Sequence, residues 1–465
     1  LGSSRGDIFD RNGVSLLDTR NEKAVVIFPE LIRGMEEEIV SRYSWLENID
    51  SIIPYKGPKP YVLTTYPTDS DLEQELLPPG TTIMDYNLRY GPDYLAPHVI
   101  GHLNKANGYG VAGLESYYDN ILKPPQSPTI SAIVDGRRRL ISGLGYRYFD
   151  NTDLLKPNNL HLTIDANIQR VVEEIIKKRL SKGAVVVMDP NSGDILAMAS
   201  QPDFDPNNIV DHLRESTKDE ELTRYSFLNR SIRSYFPGST IKVILAAAAL
   251  DSGEYTASSM FNCPGYLEIG RDRINCNNRH GHGEISLSQA LASSCNVAFM
   301  EIGLHLGGDT FLEYAHKFGL GEKTGLNLDL ESSGILPPPD MGKGSLSLAS
   351  IGQGEMGITP LQMARAYSVI ANGGYLIEPR LVKKISTKNN ITVKSYPFPE
   401  KEKVIDAAIA AELRELMHGV TKVGTGRDAA SDLYKAAGKT GTAQTGIKKD
   451  GKEESSRLSA FVDET

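Results

Sequence analysis

SYFPGSTIKVILAAAAL, residues 234–250, joins a turn signal to two polar side chains and a run of small apolar residues. Pro237 and Gly238 favour a turn, so the apolar run predicts a helix that begins close to Ser239. Lys242 lies one helical turn further on, on the same face. A serine hydroxyl needs a base to take its proton, and a lysine is such a base only when burial lowers its pKa. The segment therefore predicts an activated serine at the start of a buried helix.

Two further motifs strengthen this prediction, because a serine three residues before a lysine is common by chance. Ser294–Asn296 reads Ser-Cys-Asn at the start of an apolar stretch, and Lys439–Gly441 reads Lys-Thr-Gly between small residues. Small residues suit a strand edge that a substrate approaches closely. The three motifs in this order are the signature of penicillin-binding proteins and class A β-lactamases.

Sequence blocks along nearly the whole chain resemble class B penicillin-binding proteins, most of all the elongation-type D,D-transpeptidase, penicillin-binding protein 2. The blocks follow the family's order and are RGDIFDRNG, GVAGLESYYDNIL, LTIDANIQ, VVVMDPNSGDILAMASQPDFDPN, NRSIRSYFPGSTIK, SIGQGEMGITPLQMARAYSVIANGG and GKTGTAQ. The IGQG segment and the Ser-Cys-Asn form of the second motif carry the resemblance to the elongation branch.

The resemblance implies an α+β, multidomain fold. Residues 1–157, rich in turn signals, are expected to form a β-containing pedestal that binds partners, and residues 158–465 a penicillin-binding transpeptidase domain. This serine β-lactamase-like domain has an antiparallel sheet flanked by helices. The family continues after Lys-Thr-Gly with two more strands and a terminal helix, whereas the polar residues 450–465 read as a loop. The domain is therefore expected to lack its last strands and helix.

Local patterns predict two helices and a hairpin in the second domain. Apolar residues at helical spacing between 168 and 180 predict an amphipathic helix with Asp165 as its N-cap. Two apolar runs flanking Pro-Asn-Ser-Gly at 190–193 predict a β-hairpin. Thr359 and Pro360 begin the other predicted helix, which stops at a pair of glycines.

The resemblance also implies catalytic roles for five residues. Ser239 would be the acylated nucleophile, and Lys242 would be its base. Ser294 would relay a proton to the leaving group, and Asn296 would hold the substrate amide. Lys439 would place positive charge near the substrate carboxylate.

A substrate-binding edge is implied at Thr440, Gly441 and Thr442, where the two threonine hydroxyls would bind that carboxylate. The backbone N–H groups of Ser239 and Thr442 would form the oxyanion hole. The implied reaction is D,D-transpeptidation of peptidoglycan stem peptides that end in D-Ala-D-Ala, without a catalytic cofactor. β-Lactams mimic this substrate and would acylate Ser239.

Other functions are compatible with parts of this pattern. A class A β-lactamase needs a glutamate that activates the deacylating water, and no matching glutamate block is recognised in the sequence. A D,D-carboxypeptidase would pass the acyl group to water rather than to an amine. A non-catalytic scaffold or regulator of a membrane glycan polymerase, or a β-lactam sensor, is a different class of function, which the intact Ser239 and Lys242 disfavour.

The cysteines of the chain, Cys263, Cys276 and Cys295, all lie close to the second motif. With His282 their spacing is C-x12-C-x5-H-x12-C, and three thiolates with one imidazole are a known closed ligand set for structural zinc. His280 is the other candidate imidazole. A Cys263–Cys276 disulfide is the alternative in an oxidising compartment, and three reduced core thiols are the third interpretation.

Charge and hydropathy bear on partners and location. The net charge of -9 argues against a general nucleic-acid binder, which would carry a basic face. Apolar runs such as 243–250 are much shorter than the roughly 20 residues of a membrane span. The resemblance nevertheless implies a single-pass membrane anchor in the native protein, ahead of RGDIFDRNG, and an extracytoplasmic or periplasmic catalytic domain. It also implies a SEDS-type membrane glycosyltransferase and cell-wall elongation proteins as partners.

Overall fold

The computed structural model describes residues 5–44, 60–67, 77–78, 80–104, 107–123, 129–137, 139–141, 144–149, 157–209, 225–326, 328–449 and 452–463. The chain divides into two compact units. The first comprises residues 1–162 and 382–395, and the second comprises residues 163–381 and 396–465. The first unit is thus discontinuous along the chain, whereas the division predicted after residue 157 treats both units as continuous.

In chain order the strands are β1 (Ile8–Phe9), β2 (Arg20–Ile27), β3 (Tyr61–Pro67), β4 (Thr81–Leu88), β5 (Thr129–Ala132), β6 (Tyr146–Phe149), β7 (Asn159–Leu162), β8 (Gly183–Met188), β9 (Ile195–Gln201), β10 (Met260–Cys263), β11 (Tyr266–Ile269), β12 (Asp272–Asn275), β13 (Gly283–Ser286), β14 (Tyr375–Ile377), β15 (Val382–Ser386), β16 (Thr392–Ser395), β17 (Lys401–Lys403), β18 (Ala436–Lys449) and β19 (Lys452–Asp463). The helices are α1 (Glu36–Arg42), α2 (Pro97–Ile100), α3 (Gly113–Tyr117), α4 (Asp119–Leu122), α5 (Ala166–Arg179), α6 (Ile241–Asp251), α7 (Leu287–Ala292), α8 (Asn296–Leu306), α9 (Gly308–Lys317), α10 (Lys343–Ala349), α11 (Pro360–Ala371) and α12 (Ala407–Lys422).

The first unit is built on an antiparallel sheet in the order β3-β2-β4 and a mixed sheet in the order β1-β7-β15-β16. Successive side chains of a strand face opposite sides of its sheet. In β2, Val25 and Ile27 pack into one apolar cluster, while Ala24 and Val26 pack into another. The continuous apolar run of β2 therefore reflects burial on both faces.

A buried ion network joins three parts of the first unit. Glu115, which has no exposed surface, accepts hydrogen bonds from Arg5 Nε at 3.0 Å and Tyr90 OH at 3.0 Å, and it also pairs with Arg89. Arg5 reaches Asp119 as well, at 2.6 Å. A buried charge is tolerated only with its partners in place, so this network fixes how the segments pack.

Helix α6 is the central helix of the second unit. Every residue from Ile241 to Leu250 is buried, as the apolar run predicts. Helices α8, α9 and α12 pack against α6. Lys242 carries the only ionisable side chain in this buried run, so the fold places a lysine where burial strongly disfavours its charge.

The local predictions for the second unit are confirmed at their boundaries. Asp165 caps α5 by accepting hydrogen bonds from two backbone N–H groups, and β8 pairs antiparallel with β9. Thr359 caps α11 in a capping box with Gln362. Each of these signals acts within a few residues of the chain, which is why the sequence alone specifies them.

The apolar stripe of α5 is only partly buried, since Val171 is 56% exposed and Ile175 is 55% exposed. One sequence-based expectation for this unit is wrong. Residues 450–465, predicted as a loop, contain β19, which pairs antiparallel with β18 and supplies one strand after Lys-Thr-Gly. Backbone hydrogen bonds hold that ladder whatever the polarity of the side chains.

Among the described residues, no helix combines the length and the apolar character needed to cross a membrane.

Candidate active site

Ser239 lies in a 3-10 turn, Gly238–Thr240, that leads directly into α6. The side chain is partly exposed at this helix start. Gly238 has φ of +56°, and a Cβ there would lie 2.9 Å from the carbonyl oxygen of Thr442. A glycine is therefore required for the serine turn to pack against β18. This packing places the backbone of Gly238, which precedes Ser239, against the backbone of Thr442.

Lys242 is completely buried one turn after the serine. Its ammonium group donates to the carbonyl oxygen of Ser294 at 2.8 Å and to Oδ1 of Asn296 at 2.7 Å, with Ser294 Oγ at 3.4 Å. Burial lowers the pKa of Lys242 to about 7, although the electrostatic interaction with Cys295 and Cys276 opposes this shift. A fraction of the side chain is therefore neutral near neutral pH, as a base must be.

The Ser-Cys-Asn segment forms a strained turn before α8. Ser294 is buried and has φ of +58°, a conformation that costs free energy for a residue with a Cβ. The backbone N–H of Asn296 donates to Cys276 Sγ at 3.2 Å, and its side-chain amide donates to the carbonyl oxygen of Asn275 at 3.3 Å. These contacts hold Asn296 beside Lys242.

Lys439 is completely buried on β18. Its ammonium group donates to the carbonyl oxygen of Thr440 at 2.8 Å. Burial, and then the positive charge of Lys242, hold the pKa of Lys439 well below its usual range. At Gly441, a Cβ would lie 2.6 Å from the carbonyl oxygen of Pro237, so glycine is needed for β18 to approach the serine turn.

The structure brings together most, but not all, of the predicted site atoms. Lys242, Ser294 and Asn296 are in direct contact, and the serine turn abuts β18. Among the described residues, Ser239 Oγ makes no hydrogen bond, so Lys242 is directed at the Ser-Cys-Asn segment rather than at the serine. Catalytic hydrogen bonds are often long before substrate binds.

No role is predicted from the sequence for two residues at the site, Gly352 and Thr425. Gly352, in IGQG, accepts a hydrogen bond from the N–H of Gly238 at 3.0 Å. A Cβ at Gly352 would lie 2.0 Å from the carbonyl oxygen of Gly238, which explains this glycine. Thr425 Oγ1 lies 2.7 Å from Thr440 Oγ1. The only sequence signal for Thr425 is its position between two glycines after an apolar helix pattern.

A cluster of metal-binding side chains lies behind the Ser-Cys-Asn turn. The candidate ligand atoms of Cys263, Cys276, His282 and Cys295 all lie within 4.8 Å of one another, and the three cysteines are buried. The Cys276 and Cys295 sulfurs are 3.8 Å apart, and His282 Nδ1 is 3.4 Å from Cys263 Sγ. All three cysteines are free thiols in the structure, so the alternative Cys263–Cys276 disulfide is not formed.

The cluster has the chemistry of a structural zinc site. Tetrahedral zinc with Zn–S bonds of about 2.3 Å would separate two sulfurs by about 3.8 Å. Contact with Cys295 lowers the pKa of Cys276 to about 4, and the same contact raises the pKa of Cys295. His280, the other candidate imidazole, is exposed and lies outside this cluster.

Residues 183–463 match the family model of the penicillin binding protein transpeptidase domain. The chain belongs to this family. The match covers α6, the Ser-Cys-Asn turn and β18, so the family assignment and the site geometry concern the same part of the penicillin-binding chain.

Curated penicillin-binding relatives match along almost the whole chain. The chain is 31% identical to Stage V sporulation protein D of Bacillus subtilis, over 98% of this chain and 71% of that protein. It is 29% identical to Peptidoglycan D,D-transpeptidase MrdA of Acinetobacter baumannii, over 96% of this chain and 71% of that protein. The relatives thus include one that is named for sporulation and one that is named for transpeptidation.

Solved structures show the same fold. Penicillin binding protein 3 of Mycobacterium tuberculosis in complex with aztreonam matches with a TM-score of 0.70 and 23% identity, over 99% of this chain and 87% of that chain. The D,D-transpeptidase domain of a peptidoglycan glycosyltransferase from Eggerthella lenta matches with a TM-score of 0.68 and 23% identity, over 99% of this chain and 91% of that chain. The α+β penicillin-binding fold expected from the sequence is confirmed.

Proposed function

We propose that this member of the penicillin-binding family is a peptidoglycan D,D-transpeptidase that cross-links stem peptides through an acyl-enzyme on Ser239. One observation carries the proposal. Lys242 is buried one turn from Ser239, has a pKa of about 7, and contacts both Ser294 and Asn296. A neutral amine in this position is suited to activate a serine.

The first half-reaction forms the acyl-enzyme. Neutral Lys242 takes the proton of Ser239, whose Oγ attacks the carbonyl carbon of the penultimate D-Ala. The N–H groups of Ser239 and Thr442 stabilise the oxyanion. The intermediate collapses with cleavage of the peptide bond, and the proton reaches the departing D-Ala amine through Ser294. Asn296 would hold the amide of the donor peptide.

The second half-reaction transfers the acyl group to an amine of a neighbouring stem peptide. That amine attacks the ester carbonyl, its proton is taken up by the same relay, and Ser239 leaves as the restored hydroxyl. Lys439 would attract the terminal carboxylate of the donor, and Thr440 and Thr442 would donate hydrogen bonds to it. No step requires a cofactor.

Intact-mass measurement after mixing with benzylpenicillin tests this proposal. We expect one lasting adduct on the wild type and none on Ser239→Ala. An adduct that disappears within seconds would instead indicate a β-lactamase. Release of D-Ala from a stem pentapeptide without cross-linking would indicate a carboxypeptidase, and the absence of any adduct would support a non-catalytic scaffold.

We also propose that Cys263, Cys276, His282 and Cys295 hold a structural zinc ion. The support is the donor set, its burial and the spacing of its atoms. With four protein ligands the site would be closed, so the metal would brace the Ser-Cys-Asn turn and would not act on substrate. Elemental analysis should find about one zinc per chain, and metal-free protein with reduced thiols would contradict this.

We further propose that the first unit is a pedestal that binds a SEDS-type membrane glycosyltransferase during cell elongation, with the native protein anchored in the membrane and its catalytic unit outside the cytoplasm. Tyr109, Val111 and Tyr117, each about half exposed, give that unit apolar surface around its Gly-Leu-Glu block. Co-purification should weaken with Tyr109→Glu and Tyr117→Glu. The role in elongation has a separate test. Cells whose only copy of the protein is Ser239→Ala should stop elongating, and a defect in division alone would contradict the elongation role.

A further inference from the structure

The turn after α12, Gly424–Gly426, contacts Ala292, which lies just before the Ser-Cys-Asn segment, and Thr440 of Lys-Thr-Gly. The N–H groups of Gly424 and Gly426 cap α12 by donating to the carbonyl oxygen of Val420, at 3.1 and 3.0 Å. The N–H of Thr425 instead donates to the carbonyl oxygen of Ala292 at 3.1 Å. Ala292 is the last residue of α7 and precedes the Ser-Cys-Asn turn. The turn is therefore fixed to the helix that supports Ser294.

Glycine at 424 makes this approach possible. A Cβ at Gly424 would lie 2.2 Å from the carbonyl oxygen of Ala292, which no side chain would permit. The consequence is that the backbone of Thr425 is held between two helices while its side chain extends toward β18. Its hydroxyl oxygen lies 2.7 Å from that of Thr440.

This hydroxyl pair restricts what Thr440 offers to a substrate. A threonine hydroxyl has one proton to donate. If Thr440 donates to Thr425, it has no proton left for a ligand. If Thr425 donates to Thr440, the Thr440 proton is free for an acceptor. A carboxylate only accepts hydrogen bonds, so it selects the second arrangement, and the resulting chain of hydrogen bonds strengthens each member.

We propose that Thr425 is a positioning residue that orients the Thr440 hydroxyl toward the carboxylate of the donor stem peptide and of β-lactams. The inference rests on the proposed function, because it assumes that Thr440 meets this carboxylate. Thr425 acts through Thr440 and sets selectivity for an anionic ligand. The backbone bond to Ala292 holds it in place for this role.

The test compares acylation by benzylpenicillin with acylation by its methyl ester, which lacks the negative charge. Thr425→Val keeps the shape of the side chain and removes the hydroxyl. We expect its second-order rate constant for benzylpenicillin to fall about five- to tenfold. This is the effect of losing one hydrogen bond from the series that ends on the charged carboxylate. The rate constant for the ester should change much less, and Thr425→Ser should restore the wild-type ratio of the two rates.

A double-mutant cycle with Thr440→Val shows whether Thr425 acts through Thr440. In the Thr440→Val background, Thr425→Val should have no further effect. Equal loss with both probes, or a loss that persists in that background, would overturn the inference. If the wild type is acylated but Thr425→Val keeps the wild-type ratio of the rate constants for benzylpenicillin and its ester, the inference fails while the proposed function stands. If the wild type forms no adduct, the proposed function fails and the inference fails with it.

Discussion

Buried Glu115 of the first unit and the two buried lysines of the second unit have opposite kinds of partner. In the first unit, buried Glu115 is paired with Arg5 and Arg89 and accepts from Tyr90. In the second unit, Lys242 and Lys439 are also completely buried, yet no carboxylate among the described residues pairs with either. Their partners are carbonyl, amide and hydroxyl oxygens.

This difference separates a structural use of charge from a catalytic one. Opposite charges compensate one another around Glu115 in the first unit, so the fold there depends on all of them. Lys242 and Lys439 have no carboxylate partner among the described residues, and burial lowers the pKa of both. A lowered lysine pKa is useful for proton transfer near neutral pH and has no value for packing.

Replacing Lys242 should have the largest effect on acylation. Lys242→Met keeps a side chain of similar length and removes the base, so the rate constant for benzylpenicillin should fall about a thousandfold, within the range for a lost general base. Thermal unfolding should show equal or greater stability, because the cost of burying an amine is gone. Retention of the acylation rate would show that Lys242 is not the base.

Replacing Gly352 should have the second largest effect. Gly352→Ala would force a Cβ to within 2.0 Å of the carbonyl oxygen of Gly238 and displace the serine turn. Misplacing a reacting group by about 1 Å costs roughly a hundredfold in rate. Gly354→Ala is the matched control, since Gly354 also has positive φ but its Cβ would meet only the Leu348 side chain, at 3.3 Å. Equal acylation by the two variants would refute the role given to Gly352.

Replacing Glu115 should have the smallest effect on acylation and a large effect on stability. Glu115→Gln removes the buried carboxylate that pairs with both Arg5 and Arg89, and breaking such a buried network costs about 3–5 kcal/mol of unfolding free energy. Denaturant unfolding should show this loss, while protein that remains folded should acylate at close to the wild-type rate. A rate reduced as far as in Lys242→Met would erase the distinction between the two units.

The sequence predicts those features that depend on nearby residues. The serine turn and α6 follow from Pro-Gly and the apolar run, and the cap of α11 follows from Thr359 and Pro360. Features that depend on distant partners are not predictable in this way. Contacts with residues distant in sequence determine three such features. They are the exposed side of α5, the strand formed by polar residues 452–463 and the pairing of Thr425 with Thr440.

Lys242, which is buried and has no carboxylate partner among the described residues, is proposed to activate Ser239, and the pH dependence of acylation tests this role most directly. The rate constant for benzylpenicillin should be measured from about pH 5 to 10, with the methyl ester in parallel. Below its pKa of about 7, Lys242 is protonated and is not a base. The acylation rate constants for both compounds should therefore rise as the pH increases past about 7. The rate constant for the ester should then level off. A rate that is independent of pH, or that rises only near the usual lysine pKa of about 10.4, would contradict the claim.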